Sequence, residues 1–328
     1  MPLNSVNTSS PERQYVPDAA GNGFLQTTIK QPDDYEGKVV CTLVKKSCET
    51  ETDKAVLYVH GFNDYFFQVE MAERFLNHGF NFYAIDLRKY GRSWLPNQKI
   101  TNVRDLSEYD ADIETALNII QREGNRKVLL NGHSTGGLIV ALFAHTHPEN
   151  RLFDAVFLNS PFFNMNIGIF ARVFGLPFVA WRGKKHPDRL MKEDPSSIYG
   201  SSLHRSVYGE WEYNTVWKKI VAPTVNAGWV HAIHRAHVQA RKGFVIDKPT
   251  LVLYSDNSLY GKIRDRKFLE GDAVLNVKHI ARRARKIKGD CTVKYIEKAL
   301  HDVLLSPKPV RDKAYQVIFE WLDAKLKD

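Results

Sequence analysis

One ten-residue run, residues 128–137, constrains the fold more than any other part of the chain. A pattern typical of a buried strand leads into Gly132-His133-Ser134-Thr135-Gly136, and an apolar helix pattern follows. A G-x-S-x-G sequence between a strand and a helix is typical of a nucleophile elbow, where a serine hydroxyl stands exposed on a tight turn. Side chains at the two flanking glycines would collide with neighbouring backbone. The run therefore predicts an α/β sheet with a reactive serine at Ser134.

Strand patterns and helix patterns alternate along most of the chain. Strands that alternate with helices imply a mostly parallel sheet covered by helices on both faces. The first two strand patterns have no helix between them and predict an antiparallel hairpin at the edge. The eight predicted strands are residues 24–29, 38–44, 55–60, 81–86, 128–131, 155–159, 250–255 and 291–296, and the main predicted helices are residues 69–77, 106–121, 138–145, 274–284 and 310–326.

One long interval interrupts this alternation. About ninety residues separate the strand patterns that end at residue 159 and begin at residue 250, and they hold four of the six tryptophans. An insertion of this length between strands usually forms a lid. We therefore expect a helical cap with an apolar underside at residues 164–247, a core built from residues 24–163 and 248–328, and a flexible polar tail at residues 1–23.

The charge and composition restrict the partners and the compartment. The net charge is +9, and much of the excess lies at residues 182–192 and 278–288. The first stretch is a candidate contact with anionic membranes, whereas the second is better explained as a solvated helix face. Neither stretch interleaves aromatics as nucleic-acid platforms do, so nucleic acid is not expected as a partner. Three scattered cysteines, a polar N-terminus and the lack of a long apolar run lead us to expect a cytoplasmic protein.

Histidines compete for the role of base beside the serine, because a serine hydroxyl needs a positioned base to attack. His301 follows the last strand pattern and so falls at the carboxyl end of the sheet, where ligands bind. His133 adjoins the serine on its strand side, so its ring is expected to point away. His231, His234 and His237 share a predicted helix, but their spacing and the absence of a carboxylate argue against a metal site.

The carboxylate that would orient the base has two candidates. Asp256 directly follows the strand pattern at residues 250–255, and Asp272 opens the next helix pattern, where the helix dipole favours an ionised side chain. The residues themselves leave both open. The oxyanion donors are more narrowly defined: the N–H of Thr135, and an N–H of the loop His60-Gly61-Phe62, which points to Phe62.

Four motifs together resemble the α/β hydrolases of the monoacylglycerol lipase, lysophospholipase and serine aminopeptidase-like group. They are His60–Asp64, Asp86–Ser93, Gly132–Gly137 and His301-Asp302, and the resemblance runs from about residue 38 to the C-terminus. It implies an α/β-hydrolase fold, a helical cap, and no cofactor or metal. The second motif usually reads Asp-x-Arg-Gly-His-Gly-x-Ser in that group; here Lys89 and Tyr90 replace the Gly and the His, which suggests a divergent branch.

The same resemblance assigns roles to residues. It implies Ser134 as nucleophile, His301 as general base and Asp272 as the orienting acid, because Asp272-Ala273-Val274 matches the Asp-x-(Val/Ile) segment of the group. The Phe62 and Thr135 N–H groups would form the oxyanion hole.

These expectations favour a carboxylic-ester hydrolase for a lipophilic acyl substrate, with a monoacylglycerol or lysolipid as the natural guess. A peptidase or amidase that releases N-terminal residues is a second interpretation, although it usually needs acidic residues near the pocket to hold a substrate amine. A binding protein that kept the fold without turnover is a third. The sequence leaves the head group, the acyl chain length and the oligomeric state open.

Overall fold

A nine-stranded sheet with the order β1-β2-β3-β5-β4-β6-β7-β8-β9 runs through the described part of the chain. The structure is a computed structural model that describes residues 13–191, 198–260 and 266–326. The strands are β1 (Val16–Pro17), β2 (Leu25–Asp34), β3 (Gly37–Lys46), β4 (Lys54–Val59), β5 (Asn81–Asp86), β6 (Lys127–His133), β7 (Ala155–Asn159), β8 (Thr250–Ser255) and β9 (Cys291–Ile296).

The described α-helices lie between and after these strands. They are α1 (Val69–Asn77), α2 (Asp110–Arg122), α3 (Thr135–Thr146), α4 (Leu176–Lys185), α5 (Ile198–Leu203), α6 (Ala227–Lys242), α7 (Val277–Ala284) and α8 (Lys308–Lys325). A π-helix at Ala171–Gly175 leads into α4. None of the described helices combines the length and the apolar character that crossing a membrane requires.

The sheet is parallel from β5 to β9 and antiparallel at its other edge. β1, β2, β3 and β5 pair antiparallel in turn, which confirms the predicted hairpin, and the remaining five pairs are parallel. The carboxyl ends of β4, β6, β7, β8 and β9 therefore meet at one edge of the sheet. The loops that follow these strands carry the candidate site residues.

Helices cover both faces of the sheet because the side chains of its central strands alternate between two apolar cores. Leu57 and Leu130 point into a core shared with α2, α3, α6 and α7. Their neighbours Tyr58 and Leu129 point into a second core, against α1 and α8. The α/β-hydrolase architecture expected from the sequence is thus confirmed, with one strand more than the eight predicted.

The additional strand corrects the predicted tail. Val16–Pro17 pairs with Leu25 and Gln26 of β2, and Asp18 is buried, accepting bonds of 2.6 and 2.7 Å from the Arg92 guanidinium. The expected flexible segment at residues 1–23 is therefore wrong from residue 13 onward, and residues 1–12 lie outside the described residues. The composition of this polar stretch could not reveal its order, because that order comes from an arginine far along the chain.

The segment between β7 and β8 contains helices, as expected, but it is not all separate from the core. Trp229, Ile233 and Ala236 of α6 belong to the apolar core that includes α2 and α3. Helix α4 packs on α6 so closely that a Cβ on Gly183 would lie 2.1 Å from the Ala227 carbonyl oxygen. The boundaries of a distinct cap at residues 164–247 stay a prediction.

Lys89 and Tyr90, the departures from the family motif, are both buried. Lys89 adopts a left-handed backbone (φ 64°), and its Nζ lies 2.6 Å from an Asp34 carboxylate oxygen and 2.8 Å from one of Glu36. The Tyr90 ring packs 4.8 Å from the His60 ring. The two residues therefore tie the β2–β3 turn and the loop after β4 to the end of β5.

Candidate active site

The turn at Ser134 has the geometry of a nucleophile elbow. β6 ends at His133 and α3 begins at Thr135, so Ser134 alone forms the junction, with φ 53° and ψ −115°. A positive φ at a non-glycine residue is strained and is held only by its surroundings. Here the Ser134 N–H donates to the Asn159 carbonyl oxygen at 2.9 Å, and its own carbonyl oxygen accepts from the Phe162 N–H at 2.9 Å.

The glycines on either side are required by close backbone contact. A Cβ on Gly132 would lie 2.6 Å from the Gly136 carbonyl oxygen, and one on Gly136 would lie 2.3 Å from the Val59 carbonyl oxygen. Neither distance is compatible with a real Cβ, so both positions need glycine for this turn to pass beside the end of β4. The sequence argument for the two glycines thus has its physical basis in the structure.

Ser134, His301 and Asp272 form one hydrogen-bonded chain. The Ser134 Oγ lies 2.8 Å from the His301 Nε2, and the His301 Nδ1 lies 2.9 Å from Oδ2 of Asp272. All three side chains are buried. With its Nδ1–H donated to the carboxylate, the imidazole offers Nε2 as acceptor for the serine proton, which is the arrangement that activates a serine hydroxyl.

Asp272 is held in place by backbone donors. Its Oδ1 accepts the N–H groups of Val274 and Leu275 at 2.8 Å each. Helix α7 begins at Val277, three residues after the predicted start, because Asn276 is its N-cap, with a side chain that accepts the Lys278 N–H at 3.0 Å. A backbone bridge between Ser258 and Asp272 places the acid close to the end of β8.

Asp256, the other candidate acid, lies apart from this chain of contacts. Its side chain is exposed, and its Oδ1 accepts the Lys298 N–H at 2.8 Å. It therefore shapes the turn after β9 and makes no hydrogen bond with His301. Of the two aspartates that the sequence left open, the structure brings only Asp272 to the histidine.

The loop after β4 packs against the elbow. The His60 Nε2 accepts the Leu87 N–H at 3.0 Å, and its Nδ1 donates to the Gly61 carbonyl oxygen at 2.8 Å. Burial lowers the pKa of His60, which keeps the ring neutral for this pair of bonds. A Cβ on Gly61 would lie 3.1 Å from that of Ser134, so the loop approaches the serine closely.

Phe62 and Thr135, the expected oxyanion donors, flank Ser134. Phe62 lines the same cavity as Ser134, and Thr135 is the first residue of α3, where the N–H has no intrahelical acceptor. Within the described residues, neither N–H meets a hydrogen-bond acceptor of the protein. Two unsatisfied donors beside a serine hydroxyl suit a developing negative charge on a substrate oxygen.

His133 departs from its expected orientation. It lines the cavity together with Ser134, and its ring centroid lies 5.0 Å from that of His301. The expectation that its ring points away from the site is therefore wrong, because the ring faces the loop that carries His301, with its Nε2 3.9 Å from the Asp302 Oδ2. Burial, and next the neighbouring His301, lower the pKa of His133 well below its usual range, so it is a neutral neighbour.

Asp302 is a further buried acid that sequence reasoning did not single out beyond its place in the His301-Asp302 motif. Its Oδ1 accepts from the Asn159 Nδ2 at 2.6 Å and from the Leu304 N–H at 3.0 Å. Burial raises the pKa of Asp302. These bonds anchor the loop that presents His301 to the end of β7.

A cavity of about 260 Å³ opens in front of Ser134. Its apolar wall includes Phe62, Tyr199, Ile220 and Val274, and its polar wall includes Asp64 and Lys218, whose Oδ1 and Nζ lie 3.2 Å apart. Sequence reasoning missed this pair, because the two residues lie far apart along the chain and neither belongs to a motif for charge pairing.

The three histidines of the insertion lie on α6. The His231 and His237 rings hydrogen-bond the carbonyl oxygens of Ala180 (3.0 Å) and Phe162 (2.7 Å). Among the residues that the structure describes, no group of three or more His, Cys, Asp or Glu side chains could hold a metal ion.

Solved structures of the same fold cover nearly the whole chain. A soluble variant of monoglyceride lipase from Saccharomyces cerevisiae, solved with a substrate analog, has a TM-score of 0.68 and 16% identity over 99% of both chains. A monoacylglycerol lipase from Paleococcus ferrophilus has a TM-score of 0.64 and 20% identity, covering 86% of this chain and 99% of that one. A thermophilic esterase from Thermogutta terrifontis, with malate bound, has a TM-score of 0.56 and 18% identity, covering 91% and 98%.

The family is decided by a sequence match rather than by these distant structures. The model of the serine aminopeptidase, S33 family matches residues 50–308, which is most of the chain and includes all four motifs. This match confirms the resemblance on which the sequence expectations rest. The chain, with its elbow at Ser134 and its sheet of α/β-hydrolase type, belongs to the serine aminopeptidase S33 family.

Proposed function

We propose that the protein hydrolyses carboxylic esters of lipophilic acyl groups, with Ser134 as nucleophile, His301 as general base and acid, and Asp272 as the carboxylate that orients His301. The observation that carries this proposal is the continuous contact Ser134 Oγ–His301 Nε2–Nδ1–Asp272 Oδ2, with distances of 2.8 and 2.9 Å. The lipases and esterase among the similar structures, together with the family, support an ester hydrolase of this fold.

The reaction would proceed through an acyl-enzyme. His301 Nε2 takes the hydroxyl proton as Ser134 Oγ attacks the ester carbonyl, and the resulting oxyanion accepts the N–H groups of Phe62 and Thr135. The intermediate collapses when protonated His301 gives its proton to the leaving alcohol oxygen. Water then enters, loses a proton to His301, attacks the acyl-serine and releases the acid, and His301 returns the proton to Ser134.

The walls of the cavity support the substrate class that we propose. Phe62, Ile220 and Val274 offer an apolar surface next to the serine, which suits an acyl chain better than a charged group. A monoacylglycerol or a lysolipid is therefore the substrate class that we propose to test first.

The decisive test replaces the nucleophile. Ser134→Ala should abolish labelling by a fluorophosphonate probe and the turnover of p-nitrophenyl esters, whereas Ser107→Ala, which changes an exposed serine, should leave both intact. A substrate series of p-nitrophenyl esters of increasing chain length, a monoacylglycerol, a lysophospholipid and an aminoacyl amide then identifies the preference. Undiminished labelling of Ser134→Ala would eliminate the assignment.

We also propose peripheral contact with anionic membranes through the surface formed by the π-helix and α4. Helix α4 buries Leu176, Ala180 and Gly183 against its neighbours. On the outside, Phe170 and Phe174 are 78% and 70% exposed, and the other exposed apolar and basic residues are Ile169, Phe178, Trp181, Arg182, Lys184 and Lys185. Exposed aromatics beside cationic side chains suit the headgroup region of an anionic bilayer.

Vesicle sedimentation tests this contact. Binding to phosphatidylcholine vesicles should increase when phosphatidylserine is added, and Phe170→Ser with Phe174→Ser should weaken it. Tyr208→Ser, a change at another exposed aromatic residue (58% exposed), is the matched control. Binding that ignores both the phosphatidylserine content and the double change would exclude this surface as the contact.

The alternative of an aminopeptidase or amidase is less well supported. A substrate amine needs an unpaired acid near the nucleophile, and the acid beside this cavity, Asp64, is already paired with Lys218. As for location, three free thiols at Cys41, Cys48 and Cys291 support our proposal of a reducing compartment such as the cytoplasm.

A further inference from the structure

The wall of the cavity beside Ser134 contains a buried ion pair between residues of two distant segments. Asp64 comes from the loop after β4, two residues beyond Phe62, and Lys218 comes from the segment between α5 and α6. The residues are 1% and 3% exposed, and the Lys218 Nζ lies 3.2 Å from the Asp64 Oδ1. The ammonium also lies 5.6 Å from the ring centroids of Tyr199 and Tyr213.

Neighbouring contacts hold the two segments in this register. The Asn63 side chain donates from Nδ2 to the Lys219 carbonyl oxygen at 2.7 Å and accepts the Lys219 N–H at 3.2 Å. The Tyr65 hydroxyl accepts the Asn214 N–H at 2.8 Å. The position of Lys218 against Asp64 is therefore built into the fold on both sides of the pair.

Stability alone is a weak explanation for such a pair. Removing two charges from water costs several kcal/mol for each ion, and the attraction between them repays this only with excellent geometry and further hydrogen bonds. The Asp64 Oδ1 also accepts the Tyr65 N–H at 2.9 Å. In the described part of the chain, Asp64 is the one charged group paired with Lys218, although an ammonium carries three N–H donors. Both residues line the cavity, so the pair is available to a substrate.

We infer that Lys218 sets the charge selectivity of this cavity. By neutralising Asp64, it makes the polar wall suitable for an uncharged, oxygen-bearing part of an ester, such as a hydroxyl group, and it excludes esters that carry an ammonium group. Without Lys218, Asp64 would be a buried, unpaired carboxylate close to the serine, which is what a cationic substrate needs. Lys218 thus makes this cavity favour uncharged esters over substrates that carry a charged amine. This inference rests on the proposed function.

The test compares esters that differ only in charge. Butyrylcholine and 3,3-dimethylbutyl butanoate have nearly the same shape, but only the first is a cation. A second pair carries the charged or neutral group on the acyl side instead. In Lys218→Met, the unpaired Asp64 carboxylate should attract the cation. The ratio of kcat/KM for the cationic ester over the neutral one should therefore rise at least about tenfold in one of the two series, and a tenfold change corresponds to about 1.4 kcal/mol.

Two further variants keep the test interpretable if Lys218→Met folds poorly. Asp64→Asn leaves Lys218 unpaired, so it should shift the preference toward esters with a carboxylate. The double variant Asp64→Asn with Lys218→Met contains no buried charge and should show neither preference. Lys294→Met is the matched control, since Lys294 is an exposed lysine of β9 that does not line this cavity, and it should leave the charge ratios near the wild-type values.

Labelling by a neutral fluorophosphonate separates the two possible failures. If the wild-type protein is not labelled, the proposed function fails. If labelling is retained in the variants but the charge ratios of Lys218→Met and Asp64→Asn stay within about twofold of wild type, well under the 1.4 kcal/mol that a tenfold change represents, the inference about Lys218 is wrong. An equal shift in Lys294→Met would overturn it as well.

Discussion

Asp272→Asn is the substitution whose consequence the structure defines most closely. The Asp272 Oδ1 accepts the N–H groups of Val274 and Leu275 at 2.8 Å each. In the variant, the amide oxygen must occupy that side, because an NH₂ group there would face two donors. The NH₂ group then faces the His301 Nδ1 and forces the tautomer with the proton on Nε2. That tautomer cannot take the proton of Ser134.

The size of the effect follows from this tautomer. The same exchange in the triad of a serine protease lowers kcat by about 10⁴, which corresponds to about 5.4 kcal/mol of transition-state stabilisation at 1.36 kcal/mol per factor of ten. We expect a comparable loss here, because the two backbone donors prevent the amide from flipping. The hydrogen bonds of Val274 and Leu275 are kept, so the fold should be little affected.

The assay measures kcat for p-nitrophenyl butanoate and the rate of fluorophosphonate labelling, with circular dichroism to verify folding. Asp256→Asn is the matched control: the same exchange at an exposed aspartate that binds only the Lys298 N–H among the described residues should keep wild-type turnover. A loss in Asp272→Asn of less than about tenfold, or 1.4 kcal/mol, would refute the reasoning. So would an equal loss in Asp256→Asn.

Two further predictions concern the stability of the fold. Gly136→Ala should destabilise the protein by at least about 3 kcal/mol, since its Cβ would lie 2.3 Å from the Val59 carbonyl oxygen, whereas Gly168→Ala, with open space around it, should be nearly neutral in urea unfolding. Burial lowers the pKa of His237 to about 3, so the stability linked to this neutral ring is present above pH 6.5 and is lost as the pH falls toward 3. The free energy of unfolding of the wild type should therefore fall between pH 7 and pH 5 by about 2 kcal/mol more than that of His237→Gln. An equal fall in the two proteins would contradict the description of His237 as a buried, neutral ring.

Local patterns predicted the elements of this fold well. Strands β5, β7, β8 and β9 and helix α1 begin and end at the residues expected from the sequence. These segments are buried runs or amphipathic stretches bounded by turn residues, and such signals are carried by neighbouring residues alone. The elbow at Ser134 belongs to the same class, because the glycines, the strand and the helix that define it lie within ten residues.

Local sequence patterns could not decide which aspartate orients His301. Asp256 and Asp272 both follow β8, and both had a plausible turn or cap environment. What separates them is the backbone bridge between Ser258 and Asp272, which turns the chain back so that the second aspartate reaches His301. A bridge between two loop segments has no periodic signature, so only the family resemblance favoured Asp272 in advance.

By itself, the sequence determined the order of strands and helices, the serine on its tight turn and the histidine after the last strand. Tertiary structure decided the contacts between residues far apart in the chain: the ninth strand, the orientation of His133, and the pairing of Asp64 with Lys218. The physical reason is that burial and charge pairing between distant segments depend on which loops the sheet brings together at its carboxyl edge. The elbow supplies the candidate nucleophile. The walls of the cavity around it, on which our substrate proposal rests, form only when the chain folds.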